Sequence, residues 1–213
     1  ELVGEYIESV KNSLENIENK ENIIVDFTFA TNQDLEKIDE TIDINILRFK
    51  FQDMMKSFDI DVKWRVTNKL VTIADYRRWF NDYYCEKVDV LMWGETDSLI
   101  PKQTFEILDS LHTQVKTNSP KYISFFSTCK IDGDTKNWWS LKYNMSIDEM
   151  YEINDKVEEL DIQIANQYKF NGCGLVISSE VIKAGVNIPR SVFFIHEDTA
   201  FMHNLIKMFD GNI

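Results

Sequence analysis

The sequence predicts an α/β fold, a mixed and mainly parallel sheet flanked by helices, in one domain spanning residues 1–213. Three observations predict it. Helical and strand-like patterns alternate along most of the chain. The apolar run Val88, Val90, Leu91, Met92, Trp93 stops at Gly94 and gives way to two carboxylates one residue apart, Glu95 and Asp97, with Pro101 placed to open a helix. Late in the chain a second short apolar run delivers another acidic pair, Glu197 and Asp198. With 213 residues, 44% of them hydrophobic, the chain is long and apolar enough to bury a substantial core.

Leu2, Tyr6, Ile7, Val10, Leu14 and Ile17 recur at helical spacing with charged residues between them, so the chain opens on an amphipathic helix that ends in the charged turn 19–22. Residues 23–29 are β-rich and predict a strand with Asp26 near its end; 30–34 form a loop that caps a short helix at Asp34. Partial alternation over 44–51 predicts another strand, followed by a helix over 52–58 and a short strand over 62–66. A helical pattern through Ile73, Arg77, Phe80 and Tyr84, with Arg77 and Arg78 side by side, leads into the strand at Val88.

After Pro101 a helix runs to about Gln114 with Phe105, Ile107, Leu108 and Leu111 on its inner face, and residues 122–131 give the next strand. Asp132-Gly133-Asp134 marks a turn, Trp138 and Trp139 lie in an aromatic strand or flap, and 146–167 is a polar, roughly helical stretch. Gly172 and Gly174 precede the apolar run 175–179 and a short helix that stops at Gly185; the two glycines either let backbone approach a ligand closely or make a bend. Residues 192–195 are the last expected strand, with His196, Glu197, Asp198 and Thr199 at the start of the final helix.

Charge narrows the function. Lys and Arg number 23 against 36 Asp and Glu, a net charge of -13, which disfavours a nucleic-acid partner held over a long run of phosphates, although a local basic groove is compatible with it. Three scattered cysteines (Cys85, Cys129, Cys173) suit neither a zinc site nor a disulfide framework, and the odd count fits a reducing, cytoplasmic setting with buried thiols. No apolar run reaches the length of about 18 residues that spans a membrane. The Glu95 and Asp97 turn sits where a strand's carboxyl end opens on a crevice, and two hard oxygen ligands there suit Mg²⁺ or Mn²⁺ carrying phosphates.

In their order these segments resemble nucleotide-sugar glycosyltransferases with the GT-A fold, a Rossmann-like architecture, and are most similar to the large inverting family 2 group. Ile-Ile-Val-Asp over 23–26 stands where the family's second strand carries its nucleotide-contacting Asp, here Asp26. Residues 74–85 and 89–101 stand where a helix and strand end in the acid-x-acid metal motif; 172–179 resembles the small-residue segment under the acceptor; Glu197-Asp198-Thr199 matches the Glu-Asp pair of the last core helix. The chain departs from the pattern in having Glu95 for the usual first Asp and Phe27-Thr28-Phe29 after Asp26, and the family's first nucleotide-binding strand is expected before Glu1.

The resemblance implies a metal-assisted, inverting transfer from a nucleotide-sugar donor to a glycan or other hydroxyl acceptor. It implies Asp26, Glu95, Asp97, Gly172 and Gly174 at the donor, Glu95 and Asp97 on Mn²⁺ or Mg²⁺, and Asp198 as general base with Glu197 as its partner or alternative. His203 is a further metal ligand or a structural histidine, and Trp138 and Trp139 stack on an acceptor or pack in the core. Two other classes compete: a non-catalytic glycan- or nucleotide-binding module on a degenerate transferase fold, and a transferase acting on modified bases in nucleic acid.

Overall fold

The structure is a computed structural model that describes residues 2–15, 17–30, 43–67, 71–96, 99–125, 172, 174–193 and 196–209. It has a mixed α/β architecture in two compact units, Leu14–Val71 and the remainder. Among the described residues there are six α-helices and five strands, the strands in one parallel pair and one antiparallel triple. No helix among them is long and apolar enough to cross a membrane.

In the Leu14–Val71 unit, β1 (Asp26–Ala30) pairs in parallel with β2 (Lys63–Thr67), Asp26 opposite Lys63. Parallel neighbours need a crossover, and α2 (Ile44–Lys56) lies in it. Its Phe51 stacks on Phe29, ring centroids 4.9 Å apart, and meets Trp64 edge-on, which fastens the helix to both strands. The strand expected over 44–51 is therefore the first part of this helix. Asp43 caps it by accepting from the Asn45 and Ile46 amides, and the buried Ile44, Phe51 and Met55 fall on one helical face. Asp26, expected near the end of its strand, is the strand's first residue.

The larger unit is built around β5 (Leu175–Ser178), buried at every position, with β3 (Val90–Met92) on one side and β4 (Ile123–Phe125) on the other, both antiparallel to it. Two of the three pairings among the described residues are thus antiparallel, against the expected mainly parallel sheet. Alternating helix and strand patterns imply parallel neighbours only when each helix is the crossover between adjacent strands, and here β3 and β4, which α4 separates in sequence, are not neighbours: β5 lies between them. Trp93, Leu91, Leu175, Ile177, Val181 and Phe201 form the core.

Helix α1 (Leu2–Glu15) buries Tyr6, Ile7 and Val10; α3 (Ile73–Tyr84) is capped by the Thr72 hydroxyl, which accepts from the Asp75 amide. Helix α4 (Thr104–Val115) begins three residues after Pro101, α5 (Ser179–Lys183) follows β5 directly and stops at Gly185, and α6 (Glu197–Phe209) closes the core with Phe201, Met202 and Leu205. Val192 and Phe193, expected in a last strand, are not in one. The Arg78 guanidinium takes the carbonyls of Ile188, Pro189 and Val192, so this backbone is satisfied by a side chain instead of a ladder. Residues 194 and 195 and the elements expected within 31–42 and 126–171, Trp138 and Trp139 included, lie outside the described residues.

Candidate functional site

The site is assembled by a cation. Arg77 lies on the buried face of α3 with Ala74, Asn81 and Tyr84, and its side chain keeps only 4% exposure. A permanently charged guanidinium cannot neutralise itself when buried, so it needs carboxylates and carbonyls around it. It has them. Nη1 donates to Glu197 Oε1 at 2.5 Å, Nη2 donates to Glu95 Oε1 at 2.8 Å, and Nη2 also reaches the Gly172 carbonyl at 3.4 Å. Its carbon stands 4.8 Å from the centre of the Trp93 ring, a cation–π contact.

Trp93 is itself fixed. Its indole N–H donates to Asn81 Oδ1, one turn along α3 from Arg77, and its ring meets Phe201 of α6 edge-on at 5.2 Å. One fully buried indole therefore sets the distance between α3, the end of β3 and α6. Glu95 comes from the turn after β3, Glu197 from the first position of α6 and Gly172 from the segment before β5, so three stretches remote in sequence meet at one guanidinium.

Local backbone explains how each arrives. His196 sits in the left-handed region (φ 62°) just before α6 and its carbonyl accepts from the Ala200 amide, so the chain turns sharply and Glu197 and Asp198 begin the helix. Gly174, at φ 67°, bends the chain into β5 while its amide donates to the Trp93 carbonyl. On the other side α1 supports the acidic turn. The Ser9 hydroxyl accepts from the Ile100 amide, and Tyr6 packs so closely on Gly94 that a Cβ there would overlap its hydroxyl.

Asp198 is half-buried. Its Oδ1 accepts from the Thr199 amide at 2.7 Å and lies 3.4 Å from the Thr199 hydroxyl, whereas Oδ2 faces Gly172, where a Cβ would come within 2.5 Å of it. The contact leaves room for hydrogen only. Glu197 is 6% exposed and bound to Arg77; Glu95, with 27% side-chain exposure, is bound through one oxygen and has no hydrogen bond at the other among the described residues.

The structure thus brings Glu95, Glu197, Asp198, Gly172 and Gly174 together. Asp97 lies outside the described residues. Asp26 belongs to the other unit, where its fully buried carboxylate accepts from Arg65 at 2.7 Å. His203 is exposed on α6; at about 100° per residue it stands roughly 120° around the helix from Glu197 and 140° from Asp198, a different face from the acidic pair. Among the described residues no three His, Cys, Asp or Glu side chains gather into a group that holds a metal ion.

Two other features are separate from the site. Cys85 is a buried free thiol, and burial followed by Glu86 and Asp82 pushes its pKa up, which keeps it protonated and inert. A shallow groove of about 630 Å³ is lined by Asp75, Arg78, Trp79, Asp82, Tyr83 and Arg190, but Trp79 and Tyr83 stack on each other at 5.1 Å and so turn ring faces inward.

Arg77 is the residue that sequence reasoning passed over. Its signal was a cation in the helical pattern with Phe80 and Tyr84, where an apolar side chain is the norm and a charge implies buried acidic partners. No family model, curated protein or solved structure matches the chain.

Proposed function

We propose that this chain is a metal-assisted, inverting nucleotide-sugar glycosyltransferase of the GT-A type that moves a sugar to an acceptor hydroxyl. The observation that supports it is the meeting of the Glu95 turn and the Glu197-Asp198 helix start at Arg77. Transfer needs two acidic functions a short distance apart, one toward the leaving phosphate and one toward the acceptor.

The residues suit those functions unequally. Glu95 has one carboxylate oxygen bound to Arg77 and the other without a hydrogen bond among the described residues, so it offers a single hard ligand, with Asp97 two positions on as the second, to Mn²⁺ or Mg²⁺. When bound, such a cation supplies an offset for the charge that develops on a leaving nucleoside diphosphate. Glu197 has its Oε1 engaged by the buried Arg77 guanidinium at 2.5 Å, so its carboxylate is committed to holding that cation. Among the described residues Asp198 has no cationic partner. Its Oδ2 lies against the small-residue segment at Gly172 without a hydrogen bond among the described residues, and this is the oxygen assigned to take the acceptor hydroxyl's proton.

The test is a donor-hydrolysis and transfer screen over nucleotide sugars with Mn²⁺ on the full chain, followed by Asp198→Asn. That change keeps size and hydrogen-bonding reach but removes proton acceptance, so nucleotide binding is expected to survive while transfer falls by roughly 10² or more, with a smaller loss for Glu197→Gln. Near-normal turnover in Asp198→Asn would refute the assignment of the base. If no nucleotide sugar is hydrolysed but one is bound, the chain is a binding module on this architecture.

A further inference from the structure

We infer that Arg77 is a positioning residue, the single group that holds the leaving-group turn and the base-bearing helix start in one geometry. This rests on the transferase reading for its chemistry but not for its geometry. The guanidinium is the only described side chain that bonds both Glu95 and Glu197, and it adds the Gly172 carbonyl, so its three contacts belong to the turn after β3, the first residue of α6 and the segment that faces Asp198.

Asp198 follows Glu197 directly in α6. Fixing Glu197 Oε1 at 2.5 Å from a buried cation fixes the first turn of the helix, and with it the direction of the Asp198 carboxylate. Gly172 is held from both sides, its carbonyl by Arg77 and its α-carbon by the close approach of Asp198. Arg77 in turn cannot drift, because the Trp93 ring supports it and Asn81 holds the indole. Lysine at 77 would keep the charge but lose the fork, and one ammonium on a flexible stem cannot address two carboxylates and a carbonyl from that position.

The experiment compares wild type, Arg77→Lys, Glu197→Gln and the double variant by hydrogen exchange and, on the substrate found in the screen, by kinetics. The Gly174 amide, bonded to Trp93, and the Ala200 amide, bonded to His196, report the two segments; the Ser178 amide, bonded to Tyr122, reports the core. Arg77→Lys is expected to accelerate exchange at Gly174 and Ala200 by about tenfold or more while Ser178 stays protected, and Glu197→Gln to accelerate Ala200 alone. In kinetics Arg77→Lys should lower kcat by roughly 30-fold with donor KM within about threefold, and the double variant should fall little further, because both changes remove the same contact.

Unchanged exchange at Gly174 and Ala200, or a uniform rise that includes Ser178, overturns the proposal, as does strict additivity in the double variant. Should wild type process no nucleotide sugar, the transferase reading fails and the exchange data alone still decide whether Arg77 holds the two segments.

Discussion

The two units each bury an arginine–carboxylate pair, and they bury opposite partners. In the larger unit the cation is inside, Arg77 at 4% exposure, and it gathers two carboxylates, one of them 27% exposed. In the Leu14–Val71 unit the carboxylate is inside, Asp26 at 0%, and Arg65 keeps 39% exposure. The difference teaches which group organises its surroundings. A buried guanidinium has five donors to satisfy and pulls acidic residues in from several segments, whereas a buried carboxylate facing a solvent-reaching arginine needs little beyond its neighbouring strand. The first arrangement builds a site from remote stretches; the second fastens β1 to β2.

That contrast breaks most readily at Arg77. Arg77→Met leaves Glu95 and Glu197 facing each other with no cation, and loss of one partner from a buried ionic cluster costs about 3–5 kcal/mol. Arg65→Met removes from Asp26 one charge-assisted hydrogen bond whose donor already contacts solvent, and Asp26 keeps a further interaction, so the cost is expected at about 2 kcal/mol, the scale of that one bond. Urea denaturation of the two variants checks the order. An Arg65→Met loss equal to or above that of Arg77→Met would show that burial of the cation is not what distinguishes the units.

The same contrast explains what the sequence made legible. Periodicity located α1, α3, α4 and α6 because their buried positions recur every three or four residues, and β5 because three consecutive apolar residues, Leu175 to Ile177, are buried on both faces. It failed over 44–51, where Ile, Phe and Asn at partly alternating positions imitate a strand; the deciding residue was Asp43, a capping side chain whose effect on two amides is local chemistry and not pattern. The acidic residues were conspicuous because they end apolar runs. Arg77 was read only as a member of a helix, because pairing across 120 positions with Glu197 leaves no mark on either neighbourhood. Strand direction was lost for a similar reason, since the antiparallel pairing of β5 with β3 and β4 joins positions far apart in sequence.

A milder change sharpens the comparison without touching a charge. Gly172→Ala places a methyl group within 2.5 Å of Asp198 Oδ2 and 3.0 Å of its carboxyl carbon, so either the 172 segment or the start of α6 must move. Overpacking of this kind costs about 1–3 kcal/mol, and here it falls on the contact between the Arg77-held segment and the residue assigned as base. Thermal unfolding should show a modest loss while transfer falls out of proportion to it. Loss of stability with transfer unaffected would mean that Asp198 can leave Gly172 without consequence.

The smallest effect concerns a buried phenol. Tyr122, next to β4, is 8% exposed; its hydroxyl is 3.1 Å from His112 Nδ1, and burial, then the charge of Asp89, pushes its pKa up to about 12 from the ordinary value of 10. Raised above its unfolded value, the phenol contributes stability that is fully present below pH 10. Above that the unfolded chain releases the proton while the folded chain keeps it, so the contribution is lost as pH rises toward 12, on the order of 2 kcal/mol across the window. Tyr122→Phe should therefore be slightly less stable than wild type at pH 8, by about 1 kcal/mol for the lost hydrogen bond, yet show a flatter decline between pH 10 and 12. Parallel declines in the two proteins would mean that Tyr122 ionises in the folded state as readily as in the unfolded one. In that case the buried phenol, unlike the buried guanidinium at Arg77, is relieved by water and not by its neighbours.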